Sequence, residues 1–460
     1  MLRLYDTALR RVAPLELRRP GEVSLYVCGP TVDGAPHAGH GRLTVVWDVV
    51  RRYLEWSGLA VTMVSNITDI DDKIIDRAAR EGRSAAEVAT EYEAVWYATM
   101  DRLGVRRPDH DPHATAWVEE MVALVEQLVA DGAAYPTADG VYFSAGSVPD
   151  YGLLAHQQLD TMRAGERVAV VDDKRSPADF ALWKNAKPGE PTWPSPWGPG
   201  RPGWHTECVV MSLGLLGEGF DVHGGGIDLA FPHHENERAQ AVAAGRPFAR
   251  RWVHSGHLVA AGGEKMSKSL GNIVSLGDLV EGFDARAFRL LVLQSHYRSP
   301  MEVSRDAMAS AQRAVGRIDE LARKLGATGG APDGLASDGE VLDRFRRLLD
   351  DDLGTPAATG LVFETVSAAN SALARGDAAS GVALGAAVLE MVGALGLVPG
   401  CGSGEVPAAV ADLVAQRDAA RAARDWDRAD DIRRELVARG WAVKDTAGGT
   451  QVHPGHSGGR

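Results

Sequence analysis

The sequence is poor in cysteine and has no apolar run long enough to span a membrane. Only three cysteines occur in 460 residues, namely Cys28, Cys208 and Cys401. This content argues against a disulfide scaffold and favours reduced thiols or metal ligands. The first residues also lack the apolar core of a secretory signal. Together these absences predict a cytoplasmic protein that does not associate with membranes.

The chain also lacks an excess of positive charge. It has 49 Lys and Arg against 62 Asp and Glu, which gives a formal net charge of −13. This balance argues against indiscriminate binding to nucleic acid, although an RNA partner could still be bound by local basic patches. With 45% hydrophobic residues, the length predicts about three domains.

The first half alternates strand-like segments, glycine-rich turns and helical patterns. Residues 23–28 (VSLYVC) are typical of a buried strand, and a turn-rich loop, a helix and a second strand-like segment (AVTMVSNITDIDD) follow. This order predicts a right-handed parallel βαβ unit. GFDVHGGGID and RRWVHSGHLVA repeat the strand pattern. We therefore predict an α/β fold with a Rossmann-type parallel sheet, interrupted by an insertion at about residues 95–200.

The remaining segments define the predicted domain order. Residues 73–145 have a mostly helical pattern, and the proline-rich stretch 184–203 predicts an ordered loop. After about residue 275 the pattern is helical, and the final unit combines helices with a short strand pair. We predict a Rossmann-type domain at 1–275, a connecting helical segment at 276–320, a helical bundle at 321–400, and a small C-terminal domain at 401–460 with a disordered tail.

Two polar clusters follow predicted strands. In HAGH, His37 and His40 flank Gly39 at a predicted helix N-terminus, where exposed N–H groups and imidazoles favour a polyphosphate. In GEKMSKSLGN, a loop with Lys265 and Lys268 would stabilise charge on a leaving pyrophosphate. Either cluster alone is explained as well by a structural turn or a solvated basic loop. Their occurrence together favours nucleotide chemistry.

A third cluster, FPHHENERAQ, combines imidazoles and carboxylates at a predicted helix start. His233 and Glu237 are four residues apart and therefore share a helix face. Both side chains are good zinc ligands, but two ligands do not make a site. A polar helix start that suits the helix dipole is an equally good interpretation of this stretch taken alone.

The flanking sequence resembles the cysteinyl-tRNA synthetases, which are class I aminoacyl-tRNA synthetases. HAGH resembles the HIGH signature, and KMSKS at 265–269 matches the second signature. The resemblance runs nearly end to end through YVCGPTV, SNITDIDDKI, FALWK, GRPGWHTECVVM, DVHGGGIDLAFPHHENERAQ and RADDIRRELVARGWAVKDTAGGT. Asp33 and Gly34 stand where the family usually has Tyr-Asp, so a role for a tyrosine at 33 does not transfer. Ala38 replaces the usual isoleucine but leaves the histidines in place.

The resemblance implies an activity and a metal. The activity is ATP-dependent ligation of L-cysteine to tRNA(Cys) through cysteinyl-adenylate, with release of AMP and pyrophosphate. One zinc ion per chain, with Cys28, Cys208, His233 and Glu237 as ligands, would bind the substrate thiolate and discriminate against serine. Mg²⁺ would accompany ATP. The two thiolates, imidazole and carboxylate are a reasonable zinc set, although buried reduced cysteines would be the preferred interpretation without the resemblance.

The resemblance also implies roles for individual residues. His37, Gly39, His40 and Lys268 would bind ATP, and His37, His40, Lys265 and Lys268 would act in catalysis. The pocket for substrate cysteine would involve Gly29, Thr68, Trp204, His223 and Asp228. Thr68 and Trp204 are explained equally well as core residues, and Asp228 as a helix cap.

We expect the C-terminal helices to bind tRNA, with the last unit near the anticodon. We also expect the protein to be a monomer. Six arginines make that region locally basic: Arg417, Arg421, Arg424, Arg428, Arg433 and Arg434. Trp426 would stack on an unpaired base. A solvated helix surface with a core tryptophan is an equally good interpretation.

Three other functions compete with this one. A cysteine–amino-sugar ligase of mycothiol synthesis resembles the same catalytic core but has no use for the C-terminal RADDIRRELVARG unit. A non-catalytic, synthetase-like RNA-binding protein would not need the two signatures and the zinc candidates. A zinc hydrolase would need a general base beside the metal, such as that of an HExxH arrangement.

Overall fold

The computed structural model of the chain describes residues 2–157, 174–259, 274–327, 337–400, 408–439, 441–446 and 449–454. The predictions for Lys265, Lys268 and Cys401 therefore lie outside the described residues.

The strands are β1 (Arg3–Asp6), β2 (Arg11–Pro14), β3 (Glu22–Val27), β4 (Ala60–Ser65), β5 (Ala134–Thr137), β6 (Gly140–Phe143), β7 (Phe180–Asn185), β8 (Gly200–Pro202), β9 (Val222–Gly226), β10 (Arg251–Ser255), β11 (Leu258–Val259), β12 (Met301–Glu302), β13 (Trp441–Thr446) and β14 (Gly449–Pro454).

The α-helices cover most of the remaining chain. They are α1 (Ala38–Trp56), α2 (Asp72–Glu81), α3 (Ala85–Arg102), α4 (Val118–Ala130), α5 (Trp204–Leu216), α6 (Glu235–Ala243), α7 (Leu276–Gly282), α8 (Ala285–Leu293), α9 (Arg305–Ala327), α10 (Gly339–Asp350), α11 (Thr355–Ala374), α12 (Ala378–Ala394), α13 (Ala408–Ala422) and α14 (Trp426–Ala438). None of the helices in the described ranges is long and apolar enough to cross a membrane.

The central sheet has the strand order β10-β9-β3-β4, and all its neighbouring strands are parallel. β3 is buried from its second residue onward and pairs with both β4 and β9. α1 joins β3 to β4, as the βαβ pattern predicts. The predicted α/β fold with a Rossmann-type parallel sheet is confirmed. The carboxyl ends of β3, β9 and β10 share one edge, where ligands bind in such sheets.

The inserted segment contains a second sheet that is antiparallel, with the order β5-β6-β7-β8. The prediction of mostly helix over residues 73–145 is therefore wrong at β5, which forms a hairpin with β6, whereas the short strand that GVYFSAGSVPDYG predicts corresponds to β6. The short sequence AYPTADGVYF offers few residues for a periodic pattern, and the pairing with β7 is a long-range contact. Packing of Trp183 and Phe143 inside this sheet, both fully buried, stabilises the hairpin.

The helices α8 to α12 pack beside the central sheet and share one hydrophobic core with it. Phe288 of α8 and Phe345 of α10 are fully buried in that core. The C-terminal unit has a separate small core, formed by Val410, Leu413, Ile432 and Leu436, under the hairpin β13-β14. Domain boundaries within this arrangement stay predictions.

Candidate active site and metal centre

Four predicted metal ligands meet at the carboxyl edge of the central sheet. Cys28 follows β3, and Cys208 lies in α5. His233 lies in the π-helical turn Ala230–His234 just before α6, and Glu237 lies in the first turn of α6. The two Sγ atoms are 3.7 Å apart. His233 Nε2 lies 3.6 Å from Cys208 Sγ and 3.1 Å from Glu237 Oε1. All four ligand atoms lie within 4.8 Å of one another, and all four residues are buried.

This geometry fits a zinc ion. Two thiolates at about 2.3 Å from a tetrahedral zinc lie about 3.7–3.8 Å apart, which agrees with the observed 3.7 Å between the sulfurs. Burial raises the pKa values of Cys28 and Glu237 well above their usual range, and it lowers that of His233 well below its usual range. The imidazole is therefore neutral and ready to bind a metal. A divalent cation is what would hold the buried thiolates and carboxylate in their ionised forms.

His234 was missed by sequence reasoning. Its Nε2 lies 3.3 Å from Cys28 Sγ, and its Nδ1 lies 2.8 Å from His254 Nε2. The other nitrogen of His254 contacts Thr7 Oγ1 at 2.6 Å. Cys28, His223, His234 and Glu237 consequently form a second group with metal-ligand geometry. The doublet of adjacent histidines was the available signal, but the partners that orient His234 are distant in sequence.

His223 lies behind the metal ligands and does not line the pocket. Its Nε2 is 2.7 Å from Glu237 Oε2, and it is fully buried. Oε1 of the same carboxylate faces Cys28 and His233. His223 thus fixes the orientation of Glu237, which is the kind of support that metal ligands receive from neighbouring groups.

A cavity of about 590 Å³ opens beside this cluster. Its wall includes residues predicted for the metal, for ATP and for substrate cysteine, namely Cys28, Gly29, His37, Gly39, His40, Trp204 and Asp228. Thr68 and His223 are not among the lining residues. Thr68 is 1% exposed and donates a hydrogen bond to Glu207 Oε2 at 2.9 Å. Thr68 and His223 can therefore affect a bound ligand only through the residues that line the cavity.

The two histidines of HAGH cap the N-terminus of α1 reciprocally. The His37 N–H donates to His40 Nδ1 and the His40 N–H donates to His37 Nδ1, both at 3.3 Å. Each Nδ1 is therefore an acceptor, which in a neutral imidazole places the ring proton on Nε2. A Cβ at Gly39 would lie 2.9 Å from the His37 ring, so a larger residue there would displace that ring.

Trp96 of α3 is a second residue that sequence reasoning missed. Its ring packs edge-on against His40, with centroids 5.5 Å apart, while His40 stacks on His37 at 3.7 Å. Trp96 is 8% exposed and lines the cavity. α3 carries no signature motif, so nothing in its sequence distinguished Trp96 from a core residue.

Trp204 and Asp228 lie on the wall near the metal cluster. Trp204 begins α5 and stacks on the His233 imidazole, with centroids 4.0 Å apart. Asp228 lies in a short 3₁₀ helix after β9 and is exposed.

Asp33 stands where the sequence departs from the family pattern, and its backbone carbonyl accepts a hydrogen bond from Arg77 at 2.6 Å. Asp33 also lines the cavity.

The tryptophan and arginines predicted to serve tRNA binding in the C-terminal unit differ in their exposure to solvent. Trp426 is 58% exposed at the start of α14, so it is not a core tryptophan. Arg424, Arg428 and Arg433 are exposed. Arg417 is 3% exposed and donates to Thr450 Oγ1 at 2.6 Å, so its predicted place on a basic surface is wrong. It was misplaced because helix periodicity alone did not identify the face that the hairpin covers.

Three family descriptions match the chain. Residues 14–313 match the tRNA synthetases class I (C) catalytic domain. Residues 344–399 match the DALR domain, and residues 403–452 match the cysteinyl-tRNA ligase anticodon binding domain.

Curated relatives match over nearly the whole chain. The cysteine–tRNA ligase of Halorhodospira halophila is 45% identical over 98% of this chain and 99% of its own. That of Micrococcus luteus is 46% identical over 97% of this chain and 98% of its own.

Solved structures show the same fold at low identity. Methionyl-tRNA synthetase of Mycobacterium tuberculosis with methionyl-adenylate has a TM-score of 0.61 at 16% identity, covering 85% of this chain and 94% of that chain. A LeuRS–tRNA complex of Agrobacterium radiobacter K84 has a TM-score of 0.63 at 12% identity, covering 84% of each chain.

Proposed function

This chain belongs to the cysteine–tRNA ligases, a family of class I aminoacyl-tRNA synthetases, and we propose that it joins L-cysteine to tRNA(Cys) in two steps. The cysteine carboxylate first attacks the α-phosphate of ATP, which gives cysteinyl-adenylate and pyrophosphate. A ribose hydroxyl of the terminal adenosine then attacks the activated carbonyl and releases AMP. One observation carries the proposal: Cys28 of the buried Cys/His/Glu cluster and the paired histidines at the N-terminus of α1 line the same cavity.

The ATP end of the cavity supplies donors for phosphate. His37 and His40 line the cavity at the N-terminus of α1, whose dipole favours anions. We expect Lys265 and Lys268 to contact the triphosphate, and loss of Lys268 to cost about 2–4 kcal/mol of transition-state stabilisation. Mg²⁺ would accompany ATP. The chain's part in this step is positioning and charge stabilisation rather than covalent chemistry.

The other end of the cavity suits cysteine. A zinc ion held by Cys28, Cys208, His233 and Glu237 would supply preference for a thiolate, which serine, a near-isostere, cannot provide. Trp204 forms a wall beside His233, and Asp228 is placed to bind the substrate amine or the ribose. This selectivity would make a separate editing domain unnecessary.

The C-terminal unit is proposed to read the anticodon of tRNA(Cys). Trp426 and Arg428 are both exposed in α14, and an exposed tryptophan suits stacking on an unpaired base. A chain ending near residue 400 should lose aminoacylation far more than adenylate formation. Equal loss in the two assays would indicate mere destabilisation. We further propose that the protein acts as a cytoplasmic monomer.

The test of the proposed function is ATP–pyrophosphate exchange on metal-analysed protein, with cysteine and serine compared. Exchange with cysteine only, on protein with about one zinc per chain, is the expected result. No exchange in folded, zinc-loaded protein would contradict ligase activity and favour a synthetase-like RNA-binding protein. Transfer of cysteine to an amino sugar instead of tRNA would identify the mycothiol-type ligase.

A further inference from the structure

A single buried amide, Asn66, connects the metal cluster to the wall of the cavity. Asn66 follows β4 and is 1% exposed, and it belongs neither to the lining residues nor to the metal cluster. Its Oδ1 accepts hydrogen bonds from the Gly29 N–H at 2.9 Å and from the Tyr26 hydroxyl at 3.2 Å. Its Nδ2 donates to Thr68 Oγ1 at 3.2 Å.

The acceptor side of Asn66 fixes the peptide next to the first metal ligand. The C=O of a trans peptide points opposite to its N–H, so holding the Gly29 N–H directs the Cys28 carbonyl away from Asn66. A Cβ at Gly29 would lie 1.6 Å from the Asn66 carbonyl oxygen, so the two backbones are in close contact. Asn66 therefore binds the N–H of the Cys28–Gly29 peptide at a residue, Gly29, that lines the cavity.

The side-chain N–H of Asn66 donates a hydrogen bond to the Thr68 hydroxyl. Thr68 Oγ1 accepts from Asn66 and donates to Glu207 Oε2 at 2.9 Å. The neighbouring Cys208 Sγ lies 3.8 Å from Asn66 Oδ1, whose two lone pairs are already used by Gly29 and Tyr26. The polar groups around the two cysteine ligands are thus hydrogen-bonded to one another.

We propose that Asn66 is a positioning residue that sets the discrimination between cysteine and serine. The inference rests on the proposed function. A serine hydroxyl gains binding energy only from polar groups that are not already engaged, whereas a thiolate depends on the metal. Gly29 lines the cavity, and Asn66 keeps its N–H engaged. Without Asn66, this N–H becomes available to a hydroxyl in the pocket.

The test compares Asn66→Ala with Asn185→Ala. Asn185 also uses its amide to bind a backbone carbonyl, that of Ala138, but it lies in the inserted sheet. We measure kcat/KM for cysteine and for serine in pyrophosphate exchange, together with zinc content. We expect Asn66→Ala to retain zinc while the cysteine-to-serine ratio falls about tenfold, and Asn185→Ala to keep the parent ratio.

An equal fractional loss for both amino acids, or an unchanged ratio, would overturn the inference. If Asn66→Ala does not fold, Asn66→Ser, whose shorter side chain is expected not to reach the Gly29 N–H, must lower the ratio as well. An unchanged ratio in Asn66→Ser would also count against the role of Asn66. If the parent protein shows no exchange with cysteine, the proposed function itself fails, which is a different outcome from an unchanged ratio in active variants.

Discussion

The indole ring of Trp204 stacks on the imidazole of His233, with centroids 4.0 Å apart and planes 19° from parallel. The same imidazole is held at its edge by His205, whose Nδ1 lies 2.9 Å from His233 Nδ1. A wall of the substrate cavity is therefore in direct contact with a candidate metal ligand. We therefore expect both cysteine binding and the orientation of His233 to depend on this aromatic pair.

This contact predicts a difference between two Trp204 variants. Trp204→Phe keeps an aromatic face against His233, whereas Trp204→Ala removes it and frees the ring to rotate. We expect Trp204→Ala to raise the KM for cysteine about tenfold with little change in the KM for ATP, and Trp204→Phe to remain near the parent. Pyrophosphate exchange at varied cysteine and varied ATP measures both. Equal behaviour of the two variants would show that stacking is unimportant.

The contact between Trp96 and His40 predicts an effect on the KM for ATP. The edge-on packing of Trp96 supports His40 in the stacked pair with His37. We expect Trp96→Leu to raise the KM for ATP several-fold, on the scale of about 1 kcal/mol for an aromatic contact, with the KM for cysteine unchanged. Trp96→Phe should restore most of the loss. A rise in both KM values would indicate general disturbance of the cavity.

The metal cluster predicts how zinc content depends on each cysteine. Cys28→Ser and Cys208→Ser each replace a thiolate with a hydroxyl that ionises far less readily, so zinc should fall from about one per chain to near zero. Cys401→Ser is the matched control and should retain zinc, since Cys401 is not one of the four predicted ligands. Metal analysis after dialysis measures all three. Full zinc retention by both Cys28→Ser and Cys208→Ser would rule out this ligand set.

A buried ion pair between α1 and α8 predicts an effect on stability. Arg289 Nη1 lies 2.7 Å from Asp48 Oδ2, and the side chains are 0% and 1% exposed. Arg289→Met should cost about 3–5 kcal/mol because it leaves a buried charge with one partner fewer. Arg344→Ala, which breaks an exposed pair with Glu364, should cost about 0–1 kcal/mol. Denaturant unfolding measures both, and similar costs would contradict the argument.

The same pair predicts a pH dependence. Burial alone would raise the pKa of Asp48, but the charges of Arg289 and Arg52 hold that pKa below its usual value. Stability from this carboxylate is therefore present above the pKa of an unfolded Asp, about 3.9, and is lost as pH falls through the folded value. The stability difference between the parent and Arg289→Met should shrink below about pH 4. A constant difference down to pH 2 would be evidence against this linkage.

The site residues predicted from the sequence are those that lie in recognisable local motifs. The parallel sheet followed from strand and glycine patterns, and Cys28, Cys208, His233 and Glu237 followed from the family resemblance, which the relatives and family descriptions support. The cluster brings these four together although position 28 is far from the others in sequence. The signature loop at Lys265 and Lys268 stays a prediction, because it lies outside the described residues.

The sequence by itself determined the fold class and the chemical types at the site, because periodicity and turn residues act over short distances. Only the tertiary structure decided which groups support them: His234 on Cys28, Trp96 on His40, and Asn66 between Gly29 and Thr68. It also placed Arg417 inside the C-terminal unit. These contacts join residues from separate elements, and their partners are fixed only when packing selects one face of each helix and one edge of the sheet.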